Sequence, residues 1–226
     1  FDNDYLNYVL TILWVVAMMN SINMLDNMDG ITSQTSLFIL ITALIFMGFK
    51  NGFEQYDFML SLGIIGSLIG FLFYNFHPSK MFMGDSGSQF LGLLIAIIGI
   101  KYFWNIQDFK TGATIPTKQI ITVLIVFTLP IADTTSVVIN RIARKSSPFV
   151  GGKDHTTHHL SYLGFNDTQI SFIFAGISFL SCVIAISIYR FVDHWTWINT
   201  TLYLIYFLAI FLSLYITTQQ HKDKRQ

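Results

Sequence analysis

The sequence predicts an all-α fold, a polytopic transmembrane helical bundle of about seven helices, on three observations. Of its 226 residues, 53% are hydrophobic, and the mean hydropathy is +0.55. Only 12% are charged, whereas a soluble domain carries about 25%, so there are too few to cover a water-facing surface. Stretches free of Asp, Glu, Lys and Arg also recur at about 20 residues, the length that crosses roughly 30 Å of hydrocarbon at 1.5 Å per residue. Lys plus Arg (13) balances Asp plus Glu (13), which argues against a nucleic-acid partner held by bulk basic charge. The lone Cys182 forms no internal disulfide.

The uninterrupted runs are Tyr5–Leu25, Gly30–Phe49, Phe58–Ser79, Thr168–Tyr189 and His194–His221. Two further spans each contain one charge: Ser86–Ile106 with Lys101, and Gln119–Asn140 with Asp133. In chain order these make seven spans in a single membrane domain over residues 1–226. Aromatic residues near the run ends (Tyr5, Tyr74, Trp104, Trp195, Trp197) suit the interfacial belts. The chain opens on Phe1 without a signal-peptide pattern.

Alternating the links between spans puts eight basic residues on one side: Lys80, Arg141, Arg144, Lys145, Lys153, Lys222, Lys224 and Arg225. The other side has five: Lys50, Lys101, Lys110, Lys118 and Arg190. The positive-inside bias makes the first side cytoplasmic. The unusual polar residues gather on that side, in segments 20–32, 75–88 and 141–164. Glu54, Asp57 and Asp108, on the other side, sit in ordinary turn sequence.

The first link reads Asn20-Ser-Ile-Asn23-Met-Leu-Asp26-Asn27-Met-Asp29-Gly30. A first helix continuing this far would stack Asn20, Asn23, Asp26 or Asn27, and Asp29 on one stripe. Two carboxylates at a helix C-terminus are unfavourable without a cation, and carboxylates with phosphates and water suit Mg²⁺. The third link runs from Asn75 through Pro78 and Lys80 to Gly84-Asp85-Ser86-Gly87-Ser88. Asp85 there is either a helix N-cap or a metal or phosphate site, where glycines let backbone approach a ligand at the next helix's N–H groups.

The fifth link carries Arg141, Arg144, Lys145, Lys153, Asp154, His155, His158 and His159. In a short helix after Asp154 the three imidazoles would share a face at i, i+3 and i+4. A metalloprotease would need Glu after the first His, and Thr156 stands there, so an anionic diphosphate is the better ligand for this basic, His-rich loop. Asp133, about 12 Å along its helix from Arg141, is an intramembrane ionisable group. It is either functional or a structural partner for a nearby Asn or His.

Asn20-x-x-Asn23-x-x-Asp26-x-x-Asp29-Gly30, Asn75-Phe-x-Pro78 leading to Phe82-Met83-Gly84-Asp85-Ser86-Gly87-Ser88, Asp133, Arg141 and the Asp154/His cluster together resemble the polyprenyl-phosphate N-acetylhexosamine-1-phosphate transferases. The likeness is nearest to the bacterial undecaprenyl-phosphate GlcNAc-1-phosphate transferases that begin O-antigen, enterobacterial common antigen and teichoic-acid assembly. The enzymes making the first lipid intermediate of peptidoglycan are more distant. The resemblance implies transfer from a UDP-N-acetylhexosamine to polyprenyl phosphate with release of UMP, using Mg²⁺ or alternatively Mn²⁺, in the lipid bilayer of the bacterial cytoplasmic membrane at its inner face. A homodimer is compatible with it.

By matching positions, the resemblance makes Asp85 the metal ligand and, with Asp26 and Asp29, catalytic. Asn20, Asn23, Asn75, Arg144, Lys153, Asp154, His155, His158 and His159 would bind substrate. Nothing in the chain matches the family's paired-Asp motif on an earlier loop, Asp2 and Asp4 being in the wrong context. The expectation is therefore a C-terminal part of a longer enzyme, inactive alone. Many relatives read His-x-His-His where this chain has His155-Thr-Thr-His158-His159, which leaves His155 unassigned. A polytopic transporter would instead show polar residues deep in several helices and towards both faces. A catalytically inactive scaffold of the same fold would be indifferent to Asp85→Ala.

Overall fold

A computed structural model describes residues 3–51, 56–109, 111–147, 152 and 154–220. Among these residues the fold is helical, without strands. In chain order it comprises α1 (Asp4–Leu25), α2 (Ile31–Asn51), α3 (Tyr56–Asn75), α4 (Gly84–Gly99), α5 (Pro116–Val126), α6 (Thr128–Ala143), α7 (Thr156–Tyr162), α8 (Asp167–Phe191) and α9 (Trp197–Gln220). A π-helical turn, Ile100–Trp104, extends α4. Among the described residues six helical stretches are long and apolar enough to cross a membrane, and seven if α5 and α6 count together.

The fifth span is not one straight helix. It breaks at Phe127, and α5 and α6 meet at 77°. Pro130 explains the position: it lacks an N–H for the Val126 carbonyl, and its ring crowds that carbonyl. The Thr128 hydroxyl donates to the neighbouring Leu124 and Ile125 carbonyls at 2.9 and 2.7 Å, so two carbonyls beside the break find a partner within the span, which matters in a bilayer.

The α1–α4 pair sets the geometry of the site. Trp14 Nε1 donates to the Ala96 carbonyl at 3.1 Å. One turn on, a Cβ at Gly92 would lie 2.7 Å from Met19 Cα, so the two backbones touch there as only glycine permits. One turn further, Asn23 meets Ser88 at 2.8 Å. These antiparallel rungs carry the polar end of α1 onto the start of α4.

A large apolar core joins α1, α2, α4, α5 and α8, with Phe46 edge-on to Phe103 and Phe109. A smaller one, containing Leu25, Ile31, Leu129, Ala132, Leu160 and Phe174, packs the end that bears the candidate site. The opposite end is pinned by ion pairs. Lys118, 1% exposed, donates to Asp108 at 2.6 Å and lies 4.4 Å from the Tyr189 ring centroid. Asp57 pairs with Lys101 and accepts from the Tyr102 hydroxyl at 2.6 Å.

Candidate active site

The three polar links meet at one end of the bundle, each bound to another by side chains. Helix α1 stops at Leu25, not at Gly30. Asp26 is its C-cap, Asn27 turns its amide onto the Met24 carbonyl at 2.7 Å, and Gly30 takes φ +76°. The expected single stripe is therefore absent, and the polar residues fan out to different partners. The cause is local: a carboxylate at the negative end of a helix opposes continuation, while Asn competes for freed carbonyls.

Asn23, still on α1, donates to Asp85 Oδ1 at 3.1 Å and to Ser88 Oγ at 2.8 Å. Asp26 faces the same place. Its carboxyl is pushed above the usual range, first by burial and further by the charge on Asp85, although the Thr32 hydroxyl and the Gly84 amide face it and oppose the rise. Gly84 adopts φ +69°, a left-handed conformation that glycine takes without strain, at the start of α4. Asp85 is exposed and makes no N-cap: the cap position is Met83, which has no side-chain cap bond.

Asp29 turns the other way. Its oxygens accept from the Ser79 hydroxyl at 2.8 Å and the Ser79 amide at 3.1 Å, and His77 Nδ1 lies 3.0 Å away. Burial raises its pKa, but Ser79 and His77 outweigh that and hold the carboxyl below its ordinary value. His77 also reaches Asp167 at the start of α8, at 3.6 Å. Asn75 is buried. It accepts from the Gly30 amide at 3.1 Å and the Ser33 hydroxyl at 3.0 Å, and donates to the Met81 carbonyl at 3.0 Å. Asp29 and Asn75 thus fasten the third link onto the first. Asn20 directs its amide back to the Val16 carbonyl at 2.7 Å.

The fifth link is fastened by two carboxylates. Asp154 receives a two-pronged contact from Arg141, at 2.9 and 2.7 Å, and a third bond from Arg144 at 2.6 Å. Burial opposes its ionisation, yet the two guanidiniums, Arg141 foremost, hold its carboxyl down to about 2. Asp133, fully buried, accepts from the Thr156 amide and hydroxyl at 2.9 and 2.6 Å and contacts His155 Nδ1 at 2.8 Å. One of its partners is thus a His, as the structural alternative expects. Thr157 donates to Asn27, joining this link to the first.

The imidazoles do not share one face. His155 is the N-cap of α7 and packs near His158, with centroids 6.2 Å apart. His159 turns into the bundle, 0% exposed, edge-on to Tyr162. With α7 beginning at Thr156, His155 sits in extended backbone outside the helical phase, and His159 lies about 100° around the axis from His158, on the side of Leu160 and the smaller core. Lys153 lies outside the described residues.

Ser79, His77 and Thr157 have no signal in the sequence beyond closeness to the motif carboxylates, and Ser88 and Thr156, which stand within the motifs, gain their roles only from the fold. The buried Asp108–Lys118 pair at the opposite end also escaped, since Asp108 read as ordinary turn. An apolar groove of about 370 Å³, lined by Leu10, Trp14, Ile100, Trp104 and Val123 among others, also opens away from the site.

Among the described residues no three carboxylate, imidazole or thiol groups gather as a metal cluster. Asp26 and Asp85 do form a two-carboxylate set whose mutual repulsion a divalent cation would relieve. That set fits Mg²⁺, which uses one or two carboxylates and fills its octahedron with water and phosphate oxygens. It is a poor set for zinc, which wants four nitrogen, sulfur or oxygen ligands from the protein in structural sites.

The family model for glycosyl transferase family 4 matches residues 3–103. A protein of Bacillus subtilis described as a probable undecaprenyl-phosphate N-acetylglucosaminyl 1-phosphate transferase is 33% identical over 214 residues, covering 95% of this chain and 56% of the relative. A phospho-N-acetylmuramoyl-pentapeptide-transferase of Clostridium botulinum is 30% identical over 178 residues, covering 77% and 49%. One from Nautilia profundicola is 29% identical over 202 residues, covering 82% and 53%. The chain spans about half the length of the curated relatives it matches. With its motifs meeting at one end of an all-helical membrane bundle, the chain matches glycosyl transferase family 4 over residues 3–103 and is similar to these relatives across most of its own length.

Proposed function

We propose that the chain serves the transfer of an N-acetylhexosamine 1-phosphate, GlcNAc 1-phosphate first among them, from the UDP-sugar to undecaprenyl phosphate, with release of UMP at the cytoplasmic face of the bacterial inner membrane. The observation that carries this reading is the Asn23–Asp26–Asp85 cluster, on a link that the Thr157–Asn27 bond joins to the one carrying Arg144, His155 and His158. An acceptor phosphate oxygen would form a bond to the β-phosphorus of the donor. The bond from that phosphorus to the bridging oxygen breaks, and its electron pair leaves with UMP. Such a displacement depends chiefly on positioning and charge neutralisation.

Asp85, with Asp26 beside it, would hold Mg²⁺, which supplies charge neutralisation on the diphosphate when bound. Asn23 holds the Asp85 carboxylate in place from α1. Arg144, 38% exposed at its side chain, and the half-buried His158 are the groups of the fifth link positioned to meet phosphate oxygens. Asp29, Asn75 and Asp154 act behind them, by fastening the links. The acceptor phosphate is ionised near neutral pH, so the displacement does not require an Asp base.

The test uses the full-length gene product in proteoliposomes with UDP-GlcNAc, UDP-GalNAc and undecaprenyl phosphate, with Mg²⁺ or with EDTA. UMP release requiring both lipid acceptor and divalent ion is expected, and Asp85→Ala should abolish it. Release that ignores the acceptor or the metal would overturn the reading.

A further inference from the structure

Asp133 has no part in the reaction as described above, yet it lies on a membrane-spanning segment and is 0% exposed. A carboxylate there is expensive, and helix α7 could be capped more cheaply by a neutral Ser or Asn. What the carboxylate adds is its hold on a ring. Oδ1 already accepts from both the Thr156 amide and hydroxyl, and Oδ2 faces His155 Nδ1 at 2.8 Å. With Oδ1 occupied by two donors, an ionised Asp133 accepts at Oδ2 as well, and the hydrogen of that contact then sits on Nδ1. The nitrogen left for chemistry is Nε2. The ring belongs to the N-cap residue of α7, beside His158 and next in sequence to Asp154, which Arg141 and Arg144 clamp. Its backbone and its tautomer are thus fixed together.

We infer that Asp133 is a positioning residue: through the Nδ1–H bond it holds the His155 imidazole with Nε2 turned to a phosphate group of the substrate. The substrate half of this statement rests on the phosphotransfer reading given above; the tautomer does not. Buried carboxylates that fix imidazoles in this manner govern activity through the ring and not through contact with substrate.

Two measurements test it. In the full-length product, Asp133→Asn and His155→Gln should each lower kcat/KM roughly 10–100-fold, and the double variant should lose little more than either alone, because the two act as a unit. Thr156→Val, which removes a hydroxyl bond to the same carboxylate and leaves the ring contact, sets the size of a purely structural loss. Additive losses in the double variant, or an Asp133→Asn loss no larger than that of Thr156→Val, would overturn the inference. Independently, ¹⁵N spectra of histidine-labelled chain in micelles should show His155 protonated at Nδ1 in the wild type and redistributed towards Nε2–H in Asp133→Asn. An Nε2–H tautomer in the wild type overturns the inference even where Asp133→Asn does not fold. The expected tautomers without any wild-type transfer would uphold the positioning and remove the phosphotransfer reading instead.

Discussion

Substituting Asn for Asp154 tests whether the fifth link is held by charge. Its carboxyl is held at about 2 against an ordinary 3.8, mainly by Arg141 and then Arg144, in spite of burial. At about 1.36 kcal/mol per unit, that difference corresponds to about 2 kcal/mol of stability. The folded value is depressed, so this stability is fully present above pH 3.8 and is lost as pH falls through about 2. Asp154→Asn keeps the shape and removes the charge. It also takes from Arg141, 5% exposed, the carboxylate that accepts two of its bonds, a loss that costs a further increment at a buried cation.

The assay is thermal unfolding of the chain in detergent, followed by tryptophan fluorescence from neutral pH down to the acid range. At neutral pH the variant should melt roughly 4–8 °C below the wild type, taking about 2–4 °C per kcal/mol for a chain of this size. On acidification the gap should close, because only the wild type has this carboxylate to protonate. Other carboxylates titrate in both proteins and cancel in the difference. A constant gap from neutral to acid pH, or no gap at neutral pH, would refute the assignment of stability to the Arg141–Asp154–Arg144 cluster.

Three further predictions concern the other parts of the frame. Gly92→Val should place a side chain against the α1 backbone, where a Cβ already lies 2.7 Å from Met19 Cα. It should cost about 1–3 kcal/mol, seen as a lower melting temperature; an unchanged one would show that the helices do not touch there. Thr128→Val should cost about 1–2 kcal/mol by leaving the Leu124 and Ile125 carbonyls at the helix break without their hydroxyl partner, again read from the melting temperature, and no loss would count against that role. Asp85→Asn should abolish any rise in melting temperature when Mg²⁺ replaces EDTA. In EDTA, Asp26 contributes most at low pH, because its folded pKa is raised by burial and by Asp85, and that contribution fades as pH rises through the folded value. Removing Asp85 should shrink this pH dependence; an undiminished one would argue against the repulsion.

Much of this was legible in the sequence because it depends on composition and order. Runs without charge marked the spans, since hydrocarbon excludes charge whatever the packing. Alternation then put Asp26, Asp85 and His158 at one end, and contacts such as Asn23–Asp85 and Thr157–Asn27 join those links. The end of α1 was not legible, because Asn20, Asn23 and Asp26 fit a helical stripe as well as they fit a helix followed by a turn. The break at Phe127 has its signal in Pro130, four residues beyond Val126, but hydropathy reads straight through it. The inward turn of His159 depends on which side of α7 meets the bundle, a matter of tertiary packing. The Asp108–Lys118 pair is invisible because burial is a property of the assembled bundle: at interfaces with water the same two residues would be unremarkable.

The rungs between α1 and α4 have a consequence for how this part of the chain tolerates length change. Trp14, Met19 and Asn23 address Ala96, Gly92 and Ser88 in a fixed phase, and each residue of a helix advances about 100° around its axis. Deleting or inserting one amino acid between positions 14 and 23 would leave a run just as oily and still long enough to cross, yet it would swing Asn23 away from Asp85 by more than a quarter turn. Gains and losses of sequence should therefore be absorbed at the opposite end of the molecule or in the connections, while the spacing along α1 behaves as a ruler.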